Sequence, residues 1–139
     1  MNQPVDFSLL DNFEFMQNID SENMLDALNN FPQQLREIAQ ILQKAPVLIP
    51  PSRSIYNICL LGMGGSAIAG FIAEKLYSND FSVPFIVNND YVLPHWVNKN
   101  TFVIANSYSG NTDETVFALT EAQRRGAFCS AISTGGKVE

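Results

Sequence analysis

The residues best suited to bind a ligand lie at positions 106–112, in the run Asn-Ser-Tyr-Ser-Gly-Asn-Thr. The hydroxyl groups of Ser107, Ser109 and Thr112 can donate to separate oxygens of one phosphate, and Gly110 lets the backbone come close. The run follows a strand-like apolar segment (101–105) and opens a helix-like one. Because the first turn of a helix has unpaired N–H groups and the positive end of its dipole, this position favours an anion. The run therefore predicts a phosphate site built from hydroxyl groups.

An ordinary turn followed by a helix cap is the simpler alternative. Asn111 can serve as the N-cap, with Glu114 reaching back to it as in a capping box. This interpretation gives no role to Ser107, Ser109 and Gly110, so both interpretations stay open on this loop alone.

A second loop of the same kind follows an apolar run at 56–61. It consists of Gly62-Met63-Gly64-Gly65-Ser66, and a helix-like segment with an apolar stripe at Ile68, Ile72 and Leu76 comes next. Both loops are expected at the carboxyl ends of parallel strands, the edge at which open parallel sheets bind their ligands. Two such loops on one edge predict a single ligand contacted from both sides.

A dinucleotide site competes with this interpretation. Residues 62–67 satisfy the pattern G-x-G-x-x-A, and Asp90 follows the next strand-like segment, where an acidic residue could bind a ribose hydroxyl. A nicotinamide site gives no reason for the hydroxyl-rich run, however, and Asp90 lies further along than usual. The dinucleotide site therefore ranks below a sugar-phosphate site.

The elements that must position these loops follow from periodicity and turn residues. Asp20 or Ser21 can cap a helix that runs through Leu28, and Pro32 suits the first turn of the next helix. A proline-containing connector then leads into alternating strands and helices. The predicted strands are 56–61, 84–88, 101–106 and 127–132, and the predicted helices between them are 66–78 and 112–125. This order predicts an α/β fold, a three-layer parallel sheet with helices on both faces, preceded by amino-terminal helices.

Composition narrows the possible partners. The net charge of −6 disfavours nucleic acid or an anionic membrane surface, and no segment is long and apolar enough to cross a membrane. Cys59 and Cys129 lie in apolar runs and are expected to be buried and reduced, with no metal or disulfide role. His95, the single histidine, is expected to pack in a loop. No cofactor is predicted, and a cytoplasmic location is expected.

The two loops together resemble the sugar isomerase (SIS) family, and more narrowly the bifunctional phosphoglucose/phosphomannose isomerases. The resemblance rests on Gly-Met-Gly-Gly-Ser-Ala-Ile-Ala-Gly (62–70) and Ser-Tyr-Ser-Gly-Asn-Thr-Asp-Glu-Thr (107–115), with further likeness at 19–25 and 133–137. It implies a flavodoxin-like SIS domain that binds a phosphorylated hexose and interconverts aldose and ketose. The resemblance places three residues near the sugar and three at the phosphate: Gly64, Gly65 and Ser66, and Ser107, Ser109 and Thr112.

The resemblance also implies what this chain is expected to lack. Full-length relatives carry two SIS domains, and the base glutamate, a ring-opening histidine and an arginine are expected beyond residue 139. We therefore assign no catalytic residue here, and Glu74 and Glu114 are poor candidates. We expect a helical segment at 1–48 and, at 49–139, a SIS domain without its last strand and helices. Such a fragment is expected to be inactive alone, and to form a homodimer or associate with the second half. A non-catalytic module that senses a sugar phosphate is the alternative function.

Overall fold

A computed structural model describes residues 12–44 and 54–138. The chain falls into two compact units, Met1–Leu48 and Ile49–Glu139, and each is described by itself. None of the helices in the described ranges is both long and apolar enough to span a membrane.

The described part of the first unit consists of three helices, α1 (Phe13–Ile19), α2 (Met24–Asn29) and α3 (Phe31–Lys44). The carboxylate of Asp20 accepts hydrogen bonds from the backbone N–H groups of Met24 and Leu25, both at 2.8 Å. These bonds satisfy two donors at the start of α2, although the N-cap residue of α2 is Asn23 and not Asp20 or Ser21 as predicted. Pro32 lies in the first turn of α3, where its missing N–H costs no helical bond.

The second unit is a four-stranded parallel sheet with the strand order β2-β1-β3-β4. Its strands agree with the predicted ones to within a residue at each end. They are β1 (Asn57–Leu61), β2 (Phe85–Asn88), β3 (Thr101–Asn106) and β4 (Phe128–Ile132), and the two helices are α4 (Gly65–Leu76) and α5 (Asp113–Arg124). The predicted α/β class is therefore confirmed.

The helices lie on opposite faces of this sheet because the strand order reverses between β1 and β3. Helix α4 connects β1 to β2 on one side, whereas α5 connects β3 to β4 on the other. Right-handed connections that run in opposite directions place their helices on opposite faces. The same reversal brings the loops after β1 and β3 next to each other at the carboxyl edge.

The main core lies on the α5 face. Strand β3 alternates buried and half-buried residues, and its Val103 and Ala105 point to this face. The connection from β2 to β3 contributes Leu93 and Val97, which are buried in the same cluster. The remaining buried members come from β1, from α5 and from residue 138: Cys59, Leu61, Ala118, Leu119, Ala122 and Val138.

The α4 face corrects one expectation from the sequence. The predicted stripe of Ile68, Ile72 and Leu76 is more than half exposed, with exposed fractions of 56%, 53% and 69%. Helix α4 instead buries Ala67 and Gly70. A Cβ atom at Gly70 would lie 2.9 Å from side-chain carbons of Leu60 and Val87, so a larger residue there would require these side chains to shift.

Candidate functional site

Three loops meet at the carboxyl edge of the sheet. We call them the glycine loop (residues 62–66, after β1), the hydroxyl loop (residues 106–112, spanning the end of β3 and the residues before α5) and the bracing loop (residues 133–138, after β4). The first two lie where the strand order reverses, the position at which open α/β sheets bind ligands.

The hydroxyl loop is folded tightly around its own side chains. The backbone N–H of Gly110 donates to the Ser107 carbonyl at 3.1 Å, and Gly110 adopts a φ of +65°, which favours glycine. Ser107 is only 1% exposed, and its hydroxyl lies 3.1 Å from that of Thr112. The Ser109 hydroxyl accepts a bond from the N–H of Asn111 at 3.2 Å. The structure therefore brings the hydroxyl groups of Ser107 and Thr112 into contact and places Ser109 in the loop between them.

The geometry at the start of α5 excludes Asn111 as the N-cap residue of this helix. Thr112, not Asn111, is the N-cap residue, and no side chain in the described part of the chain makes a capping hydrogen bond there. The carboxamide of Asn111 is used elsewhere: its nitrogen donates to the Ser109 carbonyl, and its oxygen accepts from the N–H of Lys137. Since side chains leave the first N–H groups of α5 uncapped, these donors can serve an anion.

Glu114 does not reach back to the start of α5 as a capping box requires. Partial desolvation raises the pKa of Tyr91, and the charges of Glu114 and Asp113 raise it further, together with a hydrogen bond to the Glu114 side chain. Among the described residues, the Glu114 side chain makes no hydrogen bond to the N–H groups before α5, so its role as a cap, expected from the sequence, is wrong.

The bracing loop holds the hydroxyl loop from the other side. The N–H and the hydroxyl of Thr134 both donate to the Tyr108 carbonyl, at 3.1 Å and 2.7 Å. The N–H of Val138 donates to the Gly110 carbonyl at 3.2 Å. Sequence reasoning used residues 133–137 only as part of a family resemblance. The paired glycines at 135 and 136 could have indicated a tight loop at this position, because both adopt positive φ angles.

The glycine loop contacts the hydroxyl loop directly. The Asn106 carboxamide nitrogen donates to the Ser66 carbonyl at 2.8 Å. A Cβ atom at Gly62 would lie 3.1 Å from the Asn106 carbonyl oxygen, so the absence of a side chain there permits the close approach. The two loops predicted to share a ligand are therefore in contact.

A cavity of about 550 Å³ opens between the three loops. All three loops contribute to its wall, together with the last residue of β4. The lining residues are Met63, Gly65, Ser66, Asn106, Tyr108, Ile132, Ser133 and Thr134. Gly65 and Ser66 thus line the cavity as candidates for sugar contact, whereas Gly64, Ser107, Ser109 and Thr112 lie in the same loops but outside this lining.

Other candidates lie at the opposite end of the sheet. Glu74 lines a separate cavity of about 530 Å³ beside the first residues of β2. His95 is exposed, not packed as expected, and its neighbour Pro94 accepts a hydrogen bond from Arg125 at the carboxyl end of α5. Both groups are therefore remote from the three loops.

The cysteines and Asp90 take part in local structure. Burial raises the pKa of the Cys59 thiol to about 12 and also raises that of Cys129, so both are protonated at neutral pH. Cys129 is only half-buried, in contrast to the burial expected from the sequence. The Asp90 carboxylate accepts a bond from the N–H of Val92 at 3.2 Å. Within residues 12–44 and 54–138 no three His, Cys, Asp or Glu side chains cluster as metal ligands would.

Comparison with known proteins relates the chain to proteins named as phosphosugar isomerases. No protein-family model matches the chain. The chain is 40% identical over 116 residues to a bifunctional phosphoglucose/phosphomannose isomerase of Caldicellulosiruptor bescii, an alignment that covers 84% of this chain and 34% of the relative. It is 49% identical over 82 residues to a protein of the same name from Thermoplasma acidophilum, covering 59% of this chain and 26% of the relative. The chain thus spans about a third or less of the length of these relatives.

The fold has solved counterparts. A crystal structure of a Bacillus subtilis protein named as a phosphosugar isomerase superposes with a TM-score of 0.59 and 22% identity. The superposition covers 74% of this chain and 32% of that chain. At this identity the likeness supports the architecture of the sheet and helices alone.

Proposed function

Because the chain belongs to the sugar isomerase (SIS) family, we propose that it binds a phosphorylated hexose as part of an aldose–ketose isomerase. The reaction would interconvert glucose 6-phosphate or mannose 6-phosphate with fructose 6-phosphate. One observation carries the proposal: the hydroxyl loop gathers three hydroxyl groups at the uncapped start of α5, at the point where the strand order reverses.

The phosphate is proposed to sit in the hydroxyl loop. Ser109 and Thr112 have rotatable hydroxyl groups, and the first N–H groups of α5 add fixed donors and a positive dipole end. The loop itself contains no Lys or Arg, and the chain carries a net charge of −6. Binding must therefore rely on these local donors at short range, because the overall field repels an anion.

The sugar is proposed to lie in the cavity between the three loops. Gly64 and Gly65 expose backbone groups without a side chain in the way, and Ser66 lines the cavity at the first turn of α4. Ser107 is buried and bonded to Thr112, so it supports the phosphate site from beneath. This arrangement fits a ligand with one anionic end and several hydroxyl groups, as in a hexose phosphate.

Isomerisation also needs a base that moves a proton between neighbouring carbons. The side chains that line the cavity are hydroxyl, amide and apolar groups, and none is a carboxylate or an imidazole. Donors that hold a phosphate bind ground state and transition state alike, and such binding does not raise the turnover rate. The described residues are therefore proposed to supply binding, and the same observation favours a sugar-phosphate sensing module as the second candidate function.

Titration calorimetry on the purified chain tests the proposal. Fructose 6-phosphate and glucose 6-phosphate should bind more tightly than fructose or glucose, because the hydroxyl loop recognises the phosphate. Equal affinity for phosphorylated and free sugars would contradict the proposal. So would clear binding of a nicotinamide dinucleotide with no response to sugar phosphates.

One measurement distinguishes the isomerase from the sensing module. Incubation with fructose 6-phosphate in deuterium oxide reports proton exchange at the carbon next to the carbonyl, even when net turnover is slow. Exchange in an assembly with every partner supplied would favour the isomerase, whereas exchange by this chain alone would point to a base among groups we place far from the cavity, such as Glu74 or His95. Binding without exchange, in an assembly with every partner supplied, would favour the sensing module.

A further inference from the structure

We propose that Asn106 is a positioning residue, which sets the distance between the glycine loop and the hydroxyl loop so that one ligand contacts both. The inference rests on the proposed function, since it concerns how a sugar phosphate is held. It adds a residue to the site, because the sequence patterns pointed to the hydroxyls and glycines around Asn106 and not to its amide.

The side chain of Asn106 connects two elements that are remote in sequence. Asn106 is the last residue of β3, and Ser66 is the second residue of α4, 40 positions earlier. The carboxamide nitrogen donates to the Ser66 carbonyl at 2.8 Å, which is a short bond for an amide donor. Asn106 is half-buried, so water competes less for this bond than at an open surface.

The main chain of Asn106 also lies close to the glycine loop. A Cβ atom at Gly62 would lie 3.1 Å from the Asn106 carbonyl oxygen, so the two backbones are already close. The absence of a side chain at Gly62 permits this approach, and the glycine loop cannot move away without losing the bond at Ser66. The Asn106 amide therefore holds the glycine loop close to the hydroxyl loop and so sets the width of the cavity between them.

The phosphate end of the site does not depend on this amide. Bonds within the hydroxyl loop hold Ser107 and Thr112 together, and the bracing loop fixes the Tyr108 carbonyl through Thr134. Loss of the Asn106 amide should therefore free the start of α4 and the sugar side of the cavity while the phosphate side keeps its shape. Inorganic phosphate and a sugar phosphate should respond differently.

The experiment compares Asn106→Leu with the unchanged chain, using fructose 6-phosphate and inorganic phosphate as probes in titration calorimetry. Leucine has nearly the shape of asparagine but no donor. Loss of one neutral hydrogen bond corresponds to a change of roughly two- to tenfold in affinity. We expect this loss for fructose 6-phosphate, and a change of less than about twofold for inorganic phosphate.

Asn100→Leu is the matched control. Asn100 lies just before β3, and its carboxamide nitrogen donates to the Ser54 carbonyl, also at 2.8 Å and across a similar sequence distance. It makes the same kind of bond at the opposite end of the sheet. Asn100→Leu should lower the thermal unfolding temperature without changing the ratio of the two affinities. Asn106→Ser, which is smaller and polar, replaces Asn106→Leu if the latter does not fold.

Results of three kinds would overturn the inference. Unchanged affinity for fructose 6-phosphate in a folded Asn106 variant would mean that the amide does not position the loops. An equal loss for both probes, or the same change in ratio for Asn100→Leu, would mean a general structural role. If the unchanged chain binds neither probe, the proposed function fails first and this inference with it, and that result is distinct from the other two.

Discussion

The hydroxyl groups of Ser107 and Thr112 lie 3.1 Å apart, and their hydrogen bond joins the two ends of the hydroxyl loop. Ser107 is the first residue after β3, and Thr112 is the N-cap residue of α5. Either hydroxyl can be the donor, and the hydroxyl that accepts keeps its own O–H for a further acceptor. The bond thus closes the loop, and when the buried Ser107 is the donor, the O–H of Thr112 stays available to a ligand.

A double-mutant cycle should detect this bond. Ser107→Ala and Thr112→Val each remove one hydroxyl, and each should lower the free energy of unfolding by about 1 kcal/mol. Together they should cost less than the sum of the two, with a coupling of about 0.5–1.5 kcal/mol in urea unfolding. Effects that add to within about 0.3 kcal/mol would show that the hydroxyls do not interact.

Ser109→Ala should weaken phosphate binding while the chain stays folded. A hydrogen bond to a charged group is worth about 1.5–3 kcal/mol, so affinity for fructose 6-phosphate should fall by roughly ten- to a hundredfold. Thr120→Ala is the control, because its exposed hydroxyl bonds the Val116 carbonyl further along α5. If Ser107→Ala, Ser109→Ala and Thr112→Ala all keep the original affinity, the hydroxyl loop is only a turn before a helix.

Gly110→Ala should be much more destabilising than Gly126→Ala. Both glycines have positive φ angles, +65° and +75°, so alanine is strained by about 1 kcal/mol at either position. A Cβ atom at Gly110 would also overlap the backbone carbonyl of Gly135, whereas at Gly126 the nearest contact would be 3.7 Å away at Lys99. Overlap with backbone adds about 1–3 kcal/mol in chemical unfolding. Equal losses of stability in the two variants would mean that the bracing loop can move away from the added Cβ atom at little cost.

Stability should depend on acid pH through Glu121. Hydrogen bonds from Arg124 and Arg125 lower the pKa of the Glu121 carboxyl from 4.5 to about 2. Because the folded pKa is the lower one, the ionised group stabilises the fold above pH 4.5, and this contribution is lost as the pH falls towards 2. Glu121→Gln should therefore lower the unfolding temperature at pH 7 and have a smaller effect near pH 2.5. An equal difference at both pH values would contradict this assignment.

The alternation of strands and helices was predictable because burial imposes it on the sequence. Strand β3 shows this best: its apolar run was predicted at 101–106 and is observed as Thr101–Asn106. The turn between β3 and α5 was predictable for a related reason, since Ser, Gly and Asn between an apolar run and a helix are typical turn residues. The direction in which a helix faces was not predictable in the same way.

Helix α4 shows why the sequence did not predict which face of a helix packs against the sheet. Periodicity places Ile68 and Ile72 on one face, but it does not say whether that face meets the sheet. The deciding contact is the close approach of Gly70 to Leu60 and Val87, which depends on distance and not on hydropathy. The Asn111 cap failed similarly: a local pattern favoured it, but Asn111 bonds to Lys137, 26 residues away.

Because of the bracing loop, the candidate site can open locally while the rest of the sheet stays folded. Strand β4 pairs with β3 alone among the described strands, and edge strands tend to open locally before central ones do. Each such opening breaks the bonds from Thr134 to Tyr108 and from Val138 to Gly110, and so removes one wall of the cavity. A ligand that requires the closed wall adds its binding free energy to the cost of opening. Amide hydrogen exchange at Thr134 and Val138 therefore reports occupancy of the site, while exchange at Cys59 in the central strand reports the unfolding of the whole sheet.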